Sequence, residues 1–274
     1  MTLPAAILLG ILQGLTEFLP VSSSAHLILA RAYFGWDAGR SGLAFDVACH
    51  VGTLAAVVAY FWRDLIAMAA ALPRAFARRP GGPAQRLQLI VVGTIPVVAA
   101  AVVASGLVER TLRTPLVAAL MLAAVALAFF VVERTGSQQR DEASLSVGDA
   151  AVLGCAQAAA LVPGVSRSGA TIAAAMAMGL RRDEAARFAF LLGVPAILAA
   201  AAKEGIELAR VGFGPGDGPL FAAGAVASAA VGYLTVRFLI RYLARHSLGP
   251  FAWYRLALAA SVIVWWLWGA PFRG

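Results

Sequence analysis

The chain has 274 residues, of which 61% are hydrophobic and only 13% are charged, and its mean hydropathy is +0.82. Soluble domains are about half apolar and about a quarter charged, so this composition excludes an ordinary soluble domain and predicts a polytopic α-helical membrane protein. The net charge of +8 lies mostly in short loops, where basic residues orient the protein and contact anionic membrane lipids. We therefore expect no nucleic-acid partner.

The apolar segments, taken in chain order, are of two kinds. Six are unbroken and approach the roughly 20 residues that a membrane-spanning helix needs: 43–62, 87–106, 115–133, 186–203, 219–240 and 251–269. Two others, 3–30 and 148–179, are interrupted near the middle by proline, glycine and serine. Broken helices are tolerated at membrane depth only where protein or a wet cavity surrounds them. The sequence therefore predicts six spans and two re-entrant helical hairpins, with no removable signal peptide.

Loop charge predicts the orientation. The stretch 63–86 carries five arginines and one aspartate, and cytoplasmic loops are enriched in lysine and arginine. Alternation then puts the loops 134–147, 181–187 and 237–250 on the cytoplasmic side as well. It puts 31–42, 106–114, 203–218 and the C-terminus outside, with 13 basic residues inside and 7 outside. The first hairpin consequently enters from the outer side and the second from the inner side.

The two hairpins are also weakly similar in sequence. Five residues of the first match residues 144 positions later: Gly10/Gly154, Gln13/Gln157, Val21/Val165, Ser22/Ser166 and Ser24/Ser168. Pro20 and Pro163 match with a slip of one residue. Paired broken helices of opposite orientation are typical of an inverted-topology repeat. We predict one membrane domain over 1–274, with the first repeat at about 1–133 and the second at about 148–269.

The first polar segment, residues 17–26, places a carboxylate, three hydroxyls and an imidazole in apolar surroundings. Glu17 is a carboxylate within a membrane segment, where burying an ionisable group costs free energy, so it is a functional-site candidate. It can accept a proton or bind a divalent cation. His26 follows Ser23 by three residues, so on a helix they share a face. The imidazole can take the hydroxyl proton or attack phosphorus itself. His50, by contrast, is expected to be a packed polar residue, and His246 a solvated loop residue.

The second polar segment, residues 163–171, supplies an anion-binding group. A guanidinium at Arg167 matches phosphate oxygens two at a time, and a structural alternative is an ion pair with Glu17. Backbone amides at the start of the following helix favour the same anion, and nearby hydroxyls can donate to it: Ser166, Ser168 and Thr171. The cysteines, Cys49 and Cys155, have no metal or disulfide spacing and are expected to be buried.

The two segments, GLTEFLPVSSSAH and PGVSRSGAT, resemble the signatures of the bacterial undecaprenyl-diphosphate phosphatase (bacitracin-resistance) family. The resemblance covers essentially the whole chain, including the Phe61-Trp62-Arg63 end of the first span. It implies a homodimeric inverted repeat in the bacterial cytoplasmic (inner) membrane, with a site open to the outer, periplasmic face. It also implies hydrolysis of a C55 polyprenyl diphosphate to the monophosphate and phosphate, recycling the lipid carrier of cell-wall synthesis.

Carried over by motif position, the resemblance implies catalytic roles for Glu17, Ser23, His26 and Arg167. It implies diphosphate binding by Gln13, Ser22, Ser24, Ser166, Ser168, Gly169 and Thr171. Many family members have glutamate where this chain has Gln13, so a two-carboxylate cation site is reduced here to Glu17 and an amide. We expect Mg²⁺ or Ca²⁺ to arrive with the diphosphate. The alternative function is a lipid-phosphate transporter or flippase, because inverted repeats with broken helices also build secondary transporters.

Overall fold

The protein is mainly helical in the part of the chain that the computed structural model describes, residues 1–34, 39–75, 77, 80–107, 111–211 and 217–268. These residues contain no β-strand, which confirms the predicted all-α class. Their α-helices are α1 Leu3–Phe18, α2 Ser23–Phe34, α3 Gly39–Tyr60, α4 Trp62–Ala70, α5 Pro83–Leu107, α6 Pro115–Thr135, α7 Val147–Ala159, α8 Arg167–Ala177, α9 Arg182–Val211, α10 Asp217–Leu243 and α11 Gly249–Leu267.

Five helices are long and apolar enough to cross a bilayer, and they correspond to five of the six predicted spans: Pro83–Ala104, Pro115–Thr135, Arg182–Lys203, Asp217–Leu243 and Gly249–Leu267. The other predicted span, 43–62, is Ala44–Tyr60, and it bends by 73° into Trp62–Ala70. The bend falls at Phe61, whose side chain is buried. The predicted loop 63–86 therefore begins with a helix. Residue 269, the predicted end of the last span, lies outside the described residues.

Both interrupted segments form two short helices around a non-helical break. Residues 19–22 separate α1 from α2, and residues 160–166 separate α7 from α8. Each break contains the expected proline, Pro20 or Pro163, and a serine in the left-handed backbone region: Ser22 has φ 76° and Ser166 has φ 71°. Left-handed backbone is uncommon away from glycine and clusters at functional sites. The two breaks therefore share a local geometry at positions 144 residues apart.

The first helix of each interrupted segment packs against a long helix from the other half of the chain. α1 packs along α10, and α7 packs along α5. A Cβ atom on Gly10 would lie 2.4 Å from the Gly224 carbonyl oxygen, and one on Gly154 would lie 2.2 Å from the Gly93 carbonyl oxygen. Small residues permit such close backbone approach. These contacts place the two breaks inside the bundle, where α3 also packs on α9 and α6 on α11.

One end of the bundle carries a layer of ion pairs. The Asp64 carboxylate accepts hydrogen bonds from Arg86 Nη1 at 2.8 Å and from Arg187 Nη2 at 2.6 Å. Arg86 also forms an ion pair with Glu142. Further contacts of this layer are Glu142 N to Glu184 Oε2, Arg182 to Glu133, and Leu248 N to Glu133 Oε1. The four regions that loop charge assigns to the cytoplasm thus meet at one end of the molecule. Two of their arginines, Arg78 and Arg79, lie outside the described residues.

The two cysteines differ in exposure. Cys49 is buried, as predicted, beneath Gly224 of α10. Cys155 is exposed on α7, so the prediction that both are buried is wrong for Cys155. The reason is that α7 buries only one side, through Gly154 and Leu153, and turns the next residue outward.

Candidate active site

A cavity of about 640 Å³ lies between the two breaks. Six of the sequence-predicted residues line it: Glu17, Ser22, Ser23, Ser24, Ser166 and Arg167. Most of its remaining wall is formed by the later parts of α5 and α9, which contribute small and branched apolar residues such as Val98 and Ala200, and the exposed Lys203. A polar floor beneath apolar walls suits a ligand with a charged head and a hydrocarbon tail.

Glu17 is the centre of the polar floor. It lies in the last turn of α1, and its side chain is buried with 4% exposure. Its Oε1 pairs with Arg167, the first residue of α8. Its Oε2 accepts hydrogen bonds from Ser23 Oγ at 2.8 Å and from Gln13 Nε2 at 2.9 Å. A buried carboxylate needs such partners, and here they come from helices on either side of the two breaks, α1, α2 and α8. The predicted alternative of a Glu17–Arg167 ion pair is therefore present.

The second break presents Arg167 to the cavity from the start of a helix. Ser166 caps α8, and its Oγ accepts the Gly169 amide hydrogen at 3.2 Å. Ser166 and Ser168 hydroxyls are 3.2 Å apart, as are those of Ser22 and Ser24 in the first break. This cap leaves α8 pointing its amide end toward the cavity, which favours an anion there.

The other predicted residues lie behind the cavity wall. Ser168 donates to the Leu19 carbonyl at 3.3 Å and so joins the two breaks. Thr171 is buried, and its hydroxyl has no hydrogen-bond partner within the described part of the chain. Gln13 supports Glu17, and Gly169 supports Ser166. Gln13, Ser168 and Gly169 therefore contact side chains that line the cavity, whereas the Thr171 hydroxyl binds no described residue.

His26 is held away from Ser23. Its Nδ1 lies 2.7 Å from the Ser22 carbonyl oxygen, and its Nε2 lies 2.7 Å from the Tyr254 hydroxyl. The His26 and Tyr254 rings are nearly parallel, at 4°, and meet edge to edge through this contact, with centroids 5.7 Å apart. Both ring nitrogens are thus engaged, whereas the Ser23 hydroxyl donates to Glu17. The helical spacing predicted a shared face, but the tertiary contact with α11 turns the imidazole to another partner.

Two polar residues of the cavity besides Lys203 are absent from the sequence-predicted set. His50 was predicted to be a packed polar residue, but it lines the cavity with 28% of its side chain exposed, and its Nε2 lies 3.8 Å from Glu17 Oε2. Gln157 also lines the cavity, and both of its buried amide atoms are without a partner among the described residues. Gln157 matches Gln13 in the repeat, which was the available signal. For His50, the signal in the sequence was that ionisable residues are rare within membrane-spanning helices.

Arg255 is a third residue that sequence reasoning did not place in the site. It is completely buried on α11. Its Nη1 donates to the Pro20 carbonyl at 3.1 Å and its Nη2 to the Gly164 carbonyl at 2.8 Å, while Nε donates to Leu122 O at 3.2 Å. A single guanidinium therefore connects the backbone of both breaks. This contact fixes how Ser23 and Arg167, each a few residues away, face one another.

The oxygen atoms near the cavity suit a cation that is bound mainly by its ligand. The described residues hold no group of three or more His, Cys, Asp or Glu side chains that could bind a metal. Glu17 offers a carboxylate, and Gln13 has a buried Oε1 that no described residue binds. Mg²⁺ is commonly held by one or two carboxylates together with substrate phosphates. These residues fit a cation that arrives on a diphosphate.

Comparison with known proteins gives one family. The model of the family described as bacitracin resistance protein BacA matches residues 6–261. An undecaprenyl-diphosphatase of Rubrobacter xylanophilus is 48% identical over 260 residues, covering 94% of this chain and 96% of the relative. One of Alcanivorax borkumensis is 44% identical over 264 residues, covering 95% and 97%. Undecaprenyl-diphosphatase 2 of Stutzerimonas stutzeri is 44% identical over 268 residues, covering 96% and 98%.

Proposed function

This chain belongs to the bacitracin resistance protein BacA family, and we propose that it hydrolyses undecaprenyl diphosphate to undecaprenyl phosphate and inorganic phosphate. One observation carries the proposal beyond the relatives' names. Glu17 and Ser23 flank the first break, Arg167 follows the second, and the three side chains converge in one cavity with apolar walls. They supply a proton acceptor, a hydroxyl nucleophile and a phosphate-binding guanidinium, which phosphoryl transfer requires.

The proposed reaction begins with an exchange of anions at Arg167. A diphosphate replaces the Glu17 carboxylate as the guanidinium's partner, because phosphate oxygens match its fork of donors. Glu17 then keeps its contact with the Ser23 hydroxyl and accepts its proton. The Ser23 oxygen attacks the terminal phosphorus, and the anhydride bond breaks with its electron pair leaving on the lipid phosphate. Water hydrolyses the phosphoserine, which releases phosphate and restores the hydroxyl.

Geometry favours Glu17 over His26 as the group that contacts the nucleophile. The Ser23 hydroxyl donates to Glu17 at 2.8 Å, whereas His26 is bonded to Ser22 and Tyr254. We propose that His26 holds the left-handed Ser22 turn, which sets the position of Ser23 at the start of α2. The rival is direct attack on phosphorus by His26, and the imidazole-rescue experiment described below separates the two.

We further propose the finer membrane arrangement. The two interrupted segments act as re-entrant hairpins of an inverted repeat, supported by their matching residues, their left-handed serines and their exchanged packing partners. The ion-pair layer forms the cytoplasmic end, because the arginine-rich loops meet there and cytoplasmic loops are enriched in lysine and arginine. The cavity walls are the halves of α5 and α9 remote from that layer, so the site opens toward the outer face of the inner membrane. A homodimer is proposed from the family resemblance and is testable by light scattering in detergent.

Labelling of Lys203 tests this orientation. It is the only lysine in the sequence, and it lines the cavity. A membrane-impermeant amine reagent applied to intact cells is expected to label wild-type protein more strongly than Lys203→Arg protein, in which only the N-terminal amine remains. Equal labelling of the two in intact cells, with a difference that emerges only after membrane disruption, would reverse the proposed orientation.

An activity assay tests the function. Purified protein in detergent with Mg²⁺ or Ca²⁺ is expected to release phosphate from undecaprenyl diphosphate, whereas Glu17→Ala protein loses at least about 10²-fold in rate, the lower range for a proton-transfer residue. A chelator is expected to lower the rate, because the cation screens the diphosphate. Absence of release by folded wild-type protein would reject the hydrolase. Net movement of labelled lipid phosphate across vesicles by that inactive protein would support the transporter or flippase instead.

A further inference from the structure

His50 lines the cavity, and the contact of one ring nitrogen shows which nitrogen carries the hydrogen. Its Nδ1 lies 2.8 Å from the Asp46 carbonyl oxygen, one helical turn earlier on α3. A carbonyl only accepts hydrogen bonds, so Nδ1 carries the hydrogen. The other nitrogen, Nε2, faces the cavity and is the position at which this imidazole can gain or lose a proton.

Nε2 of His50 is directed at the oxygen of Glu17 that serves the nucleophile. The distance from Nε2 to Glu17 Oε2 is 3.8 Å, and the same Oε2 accepts the Ser23 hydroxyl at 2.8 Å. A small side-chain shift or one water closes the remaining distance. Ser23, Glu17 and His50 therefore form a line from the hydroxyl, through a carboxylate, to an imidazole open to the cavity.

The negative charges beside His50, the Glu17 carboxylate and a bound diphosphate, favour a proton on its imidazole, whereas nearby cations oppose it. The other charged residues lining the cavity are Arg167 from α8 and Lys203 from α9, and both are cationic. Arg167 is bound to the opposite oxygen of Glu17 until a phosphate takes it. Once it does, the carboxylate is left with Ser23, Gln13 and His50, of which only His50 is a base.

We infer that His50 is the proton acceptor of this active site, taking through Glu17 the proton that leaves the Ser23 hydroxyl. The inference rests on the proposed hydrolase. In the first step the Ser23 O–H bond breaks, its oxygen bonds to phosphorus, and the proton ends on His50 Nε2 while the lipid phosphate departs with the anhydride electron pair. In the second step the water oxygen bonds to phosphorus as the Ser23 Oγ–P bond breaks, the water proton goes to the carboxylate, and Ser23 Oγ recovers a proton from the imidazolium. Glu17 then gives its proton to the departing phosphate or to solvent. The proton count is then restored.

The pH dependence of His50→Gln protein tests the inference. Glutamine keeps a polar side chain but cannot take up a proton. The wild-type kcat is expected to fall as the pH is lowered, because an imidazolium accepts no proton. His50→Gln is expected to lower kcat at pH 7.5 by about 10²-fold, the size of a proton-transfer contribution, to leave KM nearly unchanged, and to flatten this acid limb.

The matched control is His246→Gln, which changes an exposed histidine that stacks on Tyr242 in the ion-pair end of the bundle. This control is expected to keep the wild-type rate and profile. A His50→Gln protein that retains the wild-type acid limb overturns the inference, while the wild-type activity measured alongside decides the proposed function separately.

Imidazole rescue gives a second readout that does not depend on the glutamine variant folding. His50→Ala leaves space that opens on the cavity, so added imidazole is expected to restore part of its kcat. His26→Ala is not expected to respond, because His26 acts through its contacts with Ser22 and Tyr254. Rescue of His26→Ala with no rescue of His50→Ala would assign the proton acceptor to His26 and refute the inference.

Discussion

Arg167→Lys protein is expected to lose about 10³-fold in kcat/KM while remaining folded, within the range found when an arginine that stabilises a phosphoryl-transfer transition state is removed. Lysine keeps the positive charge and can still neutralise Glu17. It lacks the planar fork of donors that binds two phosphate oxygens at once. Phosphate release from undecaprenyl diphosphate over a range of substrate concentrations measures the loss, and thermal unfolding in detergent verifies the fold.

The control for this variant is Arg181→Lys. Arg181 is about half exposed and pairs with Asp183 and Glu184 at the start of α9, beside the ion-pair layer. Exposed ion pairs contribute little, so the control should retain its activity. A loss of less than about tenfold in Arg167→Lys, with the control unchanged, would mean that charge alone is required at position 167, against bidentate binding.

Arg255→Met protein is expected to lose both stability and activity. Methionine replaces the aliphatic stem of arginine but has no donor, so the carbonyl oxygens of Pro20 and Gly164 are left buried without their partner. Hydrogen bonds to charged groups contribute about 1.5–3 kcal/mol each, so the free energy of unfolding should fall by about 3 kcal/mol or more. The breaks then separate, and a misplacement of about 1 Å in a reacting group costs about 10²-fold in rate.

Arg237→Met is the matched control for Arg255→Met. It removes an arginine from the exposed side of α10, where the guanidinium faces outward and its loss should change the unfolding free energy little. Denaturant titration in detergent gives the stability, and the phosphatase assay below the unfolding transition gives the rate. Wild-type stability in Arg255→Met would show that the two breaks are held by packing alone, and the positioning role of Arg255 would be withdrawn.

The spans and interruptions could be predicted from sequence because they depend on local properties. Runs of about 20 mostly apolar residues predict α5, α6, α9, α10 and α11. Proline and serine within apolar segments predicted the two breaks, and they lie around Pro20 and Pro163. The bend at Phe61 was missed, because it contains no proline or glycine and depends on burial of an aromatic ring in the bundle.

In the candidate site, too, the local features could be predicted from sequence and the long-range contacts could not. Glu17, Ser23 and Arg167 could be identified within their own segments, since ionisable and hydroxyl side chains are costly in apolar surroundings. The sequence by itself thus determined the class of fold, the polar segments and the chemistry available. The tertiary structure decided which groups meet: Glu17 with Ser23 and Arg167, His50 with Glu17, His26 with Tyr254, and Arg255 with both breaks. These partners are up to 235 residues apart, and their contacts depend on helix packing that local residue patterns do not encode.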